Sequence, residues 1–211
     1  MNGNEPGLPA GDPGGLKAKL RTALAARRRV ALKDGSVAAA VLLPLFIKDG
    51  EFHLLFTKRT PHLTHHSGEI SFPGGVSEPD DRDSAATALR EAWEEVGISP
   101  DDVEVLGELD DTLSIHSYRV TPVVGVFPEG YQLTVNGDEI ERLIEVPLSF
   151  FANTDIYRLE RWEREGRTFP VHFYTHGEDE IWGLTGRILK QFLEILEGTE
   201  SPEGETEDEE A

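Results

Sequence analysis

Cysteine is absent from all 211 residues, which excludes disulfides, thiol nucleophiles and thiolate metal sites. Long apolar runs are missing too. None approaches the roughly 20 residues that span a bilayer, and the opening stretch MNGNEPGLPAGDPGG lacks the apolar core of a signal peptide. Positive charge is scarce: 20 Lys and Arg face 40 Asp and Glu, a formal net charge of −20. That balance argues against a nucleic-acid backbone as partner. A soluble, cytoplasmic protein with no membrane or nucleic-acid partner is expected.

Much of the acidic excess lies in the closing stretch EGTESPEGETEDEEA, which holds no basic residue and little apolar surface. Residues 198–211 are expected to form a disordered, solubilising tail, with an interaction tail as the alternative. The Gly/Pro-rich residues 1–15 are expected to be flexible. A single domain over 16–197 remains.

Within that domain, LKAKLRTALAARRRVAL (16–32) predicts a helix with Leu16, Leu20 and Leu24 turned to the core. Arg27, Arg28 and Arg29 read as its solvated C-terminal end. Two apolar runs flank Lys48-Asp49-Gly50 and predict a hairpin, Asp-Gly supplying the positive φ of a tight turn. ISFPGG predicts a short strand entering a Pro-Gly-Gly breaker. A helix follows from Ser84 to Val96, capped by Asp83 or Ser84 and stopped by Gly97. VEVLGELDDTLS, YRVTPVVGVFP and YQLTV read as strands. DEIERLIEVPLSFF reads as a short helix or turn, with another short helix opening at Pro147. A hairpin around Glu165-Gly166 and an amphipathic helix carrying Leu184, Ile188, Leu189, Phe192 and Leu196 complete the chain. Strands with helices at the start, middle and end predict an α/β (α+β) fold, a mixed sheet packed between helices.

The middle helix poses a chemical question. Ala85, Leu89, Trp93 and Val96 fall on one side and are expected to pack. Glu91, Glu94 and Glu95 fall on the other, related as i, i+3 and i+4, where like charges repel. A solvated acidic face is one explanation; a hard-oxygen site for Mg²⁺ or Mn²⁺ is the other. Arg90 either orients a carboxylate or forms a surface pair with Glu94. Upstream, Gly74 and Gly75 allow close backbone approach to a ligand. Lys58 and Arg59 end a strand where they either hold phosphates or sit in solvent. His62, His65 and His66 carry no zinc-type spacing and suit loop or phosphate contacts better.

Taken together, GGVSEPDDRDSAATALREAWEEVGI resembles the Nudix box, G-x5-E-x7-R-E-U-x-E-E-x-G-U with U apolar. The second half matches at Arg90, Glu91, Glu94, Glu95, Gly97 and Ile98, with Ala92 as a soft departure. The front half is one residue longer than the pattern, so its outer Glu position falls on Arg82 or Asp81 depending on the direction of counting. That carboxylate is left unassigned, with Asp81 and Asp83 as the acids nearby. LLFTKRTPHLTHHSGEISFPGG is similar to the signature of the coenzyme A diphosphatase branch at Leu55, Thr57, Arg59, Gly68, Phe72, Pro73, Gly74 and Gly75. Thr64 stands where that signature has an arginine. The likeness runs from about Val37 to Leu196.

The resemblance implies a Nudix fold (an α/β/α sandwich) and hydrolysis of a diphosphate linkage with Mg²⁺ or Mn²⁺ as cofactor. The substrate it implies is coenzyme A or acyl-CoA, cleaved to 3′,5′-ADP and the (acyl-)4′-phosphopantetheine. It implies metal ligation by Glu91 and Glu95, joined by Glu94. Catalytic roles fall to Glu94 or Glu139 as base and to Arg90, which holds the glutamates. Substrate contacts fall to Lys58, Arg59, Gly74 and Gly75. Another nucleotide substrate (NADH, ADP-ribose or a nucleoside triphosphate) and a non-catalytic binding module stay open, as does a homodimer.

Overall fold

The structure, a computed structural model, describes residues 13–33, 35–61, 68–164 and 166–199. The expected flexible start and acidic tail therefore lie almost wholly outside the described residues, and so do His62, Thr64, His65 and His66. Helix α1 (Pro13–Ala26) buries Leu16, Leu20 and Leu24 as their spacing predicts, but it takes in the last three residues of the stretch read as flexible. It also stops at Ala26, which corrects the reading of the arginine run as a solvated helix end. Past the helix the chain crosses a row of acids. Arg27 pairs with Asp110 at 2.5 Å, and Arg29 pairs with Asp111 at 2.5 Å and with Glu108. Asp111 is buried, so this strap is held by partly desolvated charge.

Strands β1 (Val37–Lys48) and β2 (Glu51–Arg59) form the expected hairpin, with Asp49 at φ 53° and Gly50 at φ 82°. After β3 (Ile70–Ser71) the Gly-Gly pair does not break the chain. It forms strand β4 (Gly74–Val76), antiparallel to β1 with Gly75 opposite Ala40 and Gly74 opposite Val41. A Cβ on Gly74 would lie 2.4 Å from the Ala40 carbonyl oxygen, so only glycine lets the strand lie this close. Helix α2 (Ser84–Val96) follows, then β5 (Glu104–Glu108), β6 (Thr112–Leu113), β7 (Tyr118–Val126) and β8 (Ile140–Pro147). A 3-10 turn over Leu148–Ala152 opens at Pro147, where a short helix is expected.

Among the described residues these strands make one eight-stranded sheet around the path β3-β2-β1-β7-β5, with β4 on β1, β6 on β7 and β8 on β2. β1 and β7 run parallel and the remaining pairs antiparallel, so the sheet is mixed. α2 covers one face, over Ala40, Leu42, Phe46, Leu55 and Val123. The other face carries α1 and the C-terminal helix α3 (Gly183–Glu197), over Leu43, Leu45, Leu54 and Val124. A mixed sheet between helices is the expected architecture. The chain adds a second antiparallel sheet, β11-β10-β9, built from β9 (Tyr157–Arg164), β10 (Arg167–His176) and β11 (Asp179–Ile181). Among the described residues no helix is long and apolar enough to cross a membrane.

Two segments depart from expectation for identifiable reasons. DEIERLIEVPL supplies strand β8, not a helix. Its Ile144 and Val146 join the core under α3 while Leu143 packs on the α2 side. A strand apolar on both faces loses the alternation that marks a strand in sequence. YQLTV is irregular because its backbone serves another element. Thr134 N–H donates to the Val96 carbonyl at 3.0 Å and Asn136 N–H to the Glu95 carbonyl at 2.9 Å, satisfying acceptors that a helix C-terminus leaves open.

Candidate active site

Helix α2 starts where Asp83 accepts from Ala86 N–H at 2.8 Å, and stops where Gly97 takes φ 74°. Both are the caps its sequence predicts. Of the expected packing side, Val96 is fully buried and Ala85 and Leu89 pack partly buried against the same cluster, but Trp93 is 54% exposed, which corrects its place in the stripe; the fully buried helix side also runs through Ala88 and Ala92. Two alanines let the helix axis approach the sheet closely, and that approach carries Glu91 and Glu95 inward with them. They face strand β4 from below the helix.

Glu91 lies directly over Gly75. A Cβ at that glycine would sit 2.3 Å from the Glu91 Oε1 atom, so the missing side chain is the space the carboxylate occupies. Arg90 donates from Nη1 to Glu91 Oε1 at 2.9 Å and from Nη2 to the Val76 carbonyl at 3.0 Å. Its Nε and Nη2 hold the two oxygens of Asp81 at 3.2 and 3.1 Å. The Arg90 guanidinium keeps the Asp81 carboxyl down at about 2, and Asp81 in turn raises Arg90 further. Arg90 is thus a fixed strut between β4, Asp81 and Glu91, with a looser contact to Glu94 at 3.4 Å. Burial pushes the Glu91 carboxyl up, opposed by Arg90.

Glu95 is deeper, 4% exposed, and its Oε2 is buried with no hydrogen-bond partner among the described residues. Burial raises its carboxyl to about 8; Arg59 opposes the shift, and the charges of Glu91 and Glu139 add to it. Arg59 reaches it from β2, where the register with β8 shifts between Lys58 and Arg59; such bulges re-aim side chains. Its Nη1 is 3.5 Å from Glu95 Oε1 and its Nη2 3.7 Å from Glu139 Oε2. Glu139 stands at the end of the irregular loop that clasps α2, steadied by Thr60 N–H on its carbonyl at 2.8 Å.

The structure therefore brings together Glu91, Glu95, Glu139, Arg59, Arg90, Gly74 and Gly75. Glu94 is on the rim, its side chain 54% exposed. Lys58 is not brought in: its Nζ is 3.3 Å from Asp179, which also takes Arg142. The two nearby acids left unassigned in the sequence have other partners, Asp83 as helix cap and Asp81 on Arg90. Arg82 is solvent-exposed beside Asp83. Sequence reasoning missed the hold of Asp81 on Arg90, although counting forward from Gly75 lands on it.

Among the described residues no three His, Asp or Glu side chains are gathered closely enough to form a finished coordination sphere. The donor chemistry nonetheless fits a hard divalent cation. Two desolvated carboxylates lie one helical turn apart, one of them with an unpartnered buried oxygen, and oxygen donors suit Mg²⁺ and Mn²⁺. A cation there competes with the proton that burial favours on Glu95.

Comparison with known proteins places the chain in a family. Residues 36–170, well over half of the chain, match the NUDIX domain. The chain is 42% identical over 166 residues to Nudix hydrolase NudL of Photorhabdus laumondii, covering 79% of this chain and 88% of that protein. It is 36% identical over 178 residues to a mouse protein named peroxisomal coenzyme A diphosphatase NUDT7, covering 82% and 75%. Among solved structures, a C. elegans Ap4A hydrolase binary complex is similar with TM-score 0.45 and 18% identity, over 53% of this chain and 80% of that one.

Proposed function

The chain belongs to the Nudix family of hydrolases, and from that premise we propose that it cleaves the diphosphate linkage of coenzyme A or its acyl derivatives. Products are 3′,5′-ADP and 4′-phosphopantetheine, free or acylated. The observation that carries the reaction type is the pair of desolvated carboxylates, Glu91 and Glu95, set one turn apart against Gly74-Gly75 with an arginine on either side. The substrate rests on the LLFTKRT…FPGG segment and on the likeness to the mouse protein named for coenzyme A.

In this reading Glu91 and Glu95 hold Mg²⁺ or Mn²⁺. When bound, the ion neutralises diphosphate oxygens and acidifies a water. Arg90 keeps Glu91 in place through Asp81 and Val76. Arg59 faces the phosphates as a planar, permanently charged donor. Glu94 on the rim and Glu139 beyond Arg59 are the two candidates to take the proton from the attacking water. Gly74 and Gly75 admit the substrate and the Glu91 carboxylate to the same backbone. Lys58 is committed to Asp179, so its phosphate role requires that pair to open.

Purified protein with Mn²⁺ is to be assayed against coenzyme A, NADH, ADP-ribose and nucleoside triphosphates. Coenzyme A is expected to turn over with the highest kcat/KM. Thr64, standing where the branch signature has arginine, gives the competing outcome its basis: turnover of NADH or ADP-ribose with coenzyme A untouched overturns the substrate assignment.

A further inference from the structure

The two arginines of the site are held in different ways. Arg90 makes hydrogen bonds to Asp81, Glu91 and the Val76 carbonyl at 2.9–3.2 Å and has no freedom to serve another anion. Arg59 touches Glu95 and Glu139 at 3.5 and 3.7 Å, longer than the usual N–H···O range. Among the described residues its Nε is buried without a partner, and so is the Glu95 Oε2. A guanidinium has five donors in a rigid fork. Here one sits between two carboxylates, attracted by their charge but unlocked by hydrogen bonds. The bulge between Lys58 and Arg59 directs it there, so the loose contact is a built feature of β2.

We propose that Arg59 is a transferable counter-ion. It balances Glu95 and Glu139 until a divalent cation takes over their charge, and the guanidinium then passes to the anionic diphosphate of the substrate. This rests on the reading that Glu91 and Glu95 hold a cation. Arg59 and the cation compete for Glu95, whereas the cation and the substrate reinforce each other, since each favours the released position of Arg59. Such coupling is reciprocal between the two ligands. Arg90 takes no part in the exchange.

The test starts without any nucleotide. MnCl₂ is titrated calorimetrically into the metal-stripped full chain, wild type against Arg59→Gln and Arg59→Lys. Removing a unit charge a few ångströms from the ion, at an effective dielectric near 20, tightens Mn²⁺ binding by on the order of tenfold or more in Arg59→Gln. Arg59→Lys keeps the charge and stays within about twofold of wild type. Unchanged or weaker binding in Arg59→Gln overturns the proposal, because Arg59 is then a prop for the carboxylates. Equal tightening in the Lys variant overturns it too. An Arg59→Gln chain that unfolds without Mn²⁺ and recovers its circular dichroism on adding the ion supports it, since Arg59 then supplied the missing charge balance. The second readout is coupling: in wild type the KM for coenzyme A falls as Mn²⁺ rises, and in Arg59→Gln that dependence is weaker, only the direct attraction of the ion for the diphosphate remaining. Parallel dependence in both overturns the hand-over. Because the titration uses no substrate, a chain that passes it yet leaves coenzyme A intact refutes the substrate assignment alone.

Discussion

Gly74 and Gly75 are adjacent in strand β4 and identical in chemistry, yet adding one methyl group to each should damage different things. At Gly75 the new Cβ would first meet the end of the Glu91 side chain, at 2.3 Å from Oε1 and 2.5 Å from Cδ, whereas ordinary contact begins near 3.4 Å. The carboxylate has to retreat by about 1 Å, and a misplacement of that size costs roughly 10²-fold in rate at a reacting centre. The backbone at Gly75 is not in the left-handed region, so alanine fits the strand and stability changes by no more than about 0.5 kcal/mol. At Gly74 the Cβ would meet the Ala40 carbonyl oxygen at 2.4 Å and the Val41 Cα at 2.6 Å. Backbone cannot swing aside, and overpacking of this kind costs about 1–3 kcal/mol, a fall of roughly 5 °C in Tm for a chain of this size. The assay is paired: initial rate with coenzyme A and Mn²⁺, and a thermal melt, on both variants. Gly75→Ala is expected to melt like wild type and lose about 10²-fold in kcat, while Gly74→Ala is expected to melt early. A Gly75→Ala enzyme within twofold of wild-type rate would refute the argument that Glu91 is held over this glycine for the chemistry.

Other residues give shorter tests. Asp81→Asn is expected to cost about 1–2 kcal/mol at pH 7, read by urea unfolding. The Asp81 carboxyl is depressed to about 2 in the fold, so its contribution is complete above the unfolded value near 3.9 and lost as pH falls toward 2; a gap between variant and wild type that persists unchanged below pH 2 would contradict this. Asp111→Ala leaves Arg29 with Glu108 but removes the buried acceptor that Arg29, Leu32 N–H and Thr121 share, and should destabilise by about 1–3 kcal/mol with an unchanged KM, measured by chemical denaturation and steady-state kinetics. Trp93→Ala should change stability by no more than about 0.5 kcal/mol because the ring is largely exposed. Ala92→Leu, which wedges the fully buried side of α2 away from the sheet, should cost about 1–3 kcal/mol.

The helix-and-strand order was mostly legible in the sequence, and the failures share a cause. Capping chemistry placed α2 to the residue, because Asp83 and Gly97 act on their own neighbours. The buried face of α2 was read correctly at Ala85, Leu89 and Val96 and wrongly at Trp93, which is exposed. The sheet instead approaches over Ala88 and Ala92, small residues that carry no hydrophobic signal of their own. Strand β8 was hidden because Leu143 and Ile144 face different cores, and the pairing of Arg27 and Arg29 because their acidic partners lie some 80 positions away in sequence, at Glu108, Asp110 and Asp111. In the site, the i, i+4 spacing of Glu91 and Glu95 left a solvated acidic face and a cation site both open, and only the likeness to the Nudix box singled the pair out. The grip of Asp81 on Arg90 and the suspension of Arg59 between Glu95 and Glu139 depend on how β2, α2 and the loop before β8 are packed together. No local pattern announces them.

The account rests on Glu95 as a carboxylate that binds a cation for diphosphate hydrolysis, and Glu95→Gln tests it with the smallest change of shape. Mn²⁺ affinity by calorimetry and coenzyme A turnover by product analysis are to be measured on the same preparation. Both are expected to collapse together, Mn²⁺ binding by at least about tenfold and kcat by more, with a folded chain. Turnover left intact in Glu95→Gln would contradict the account at its centre.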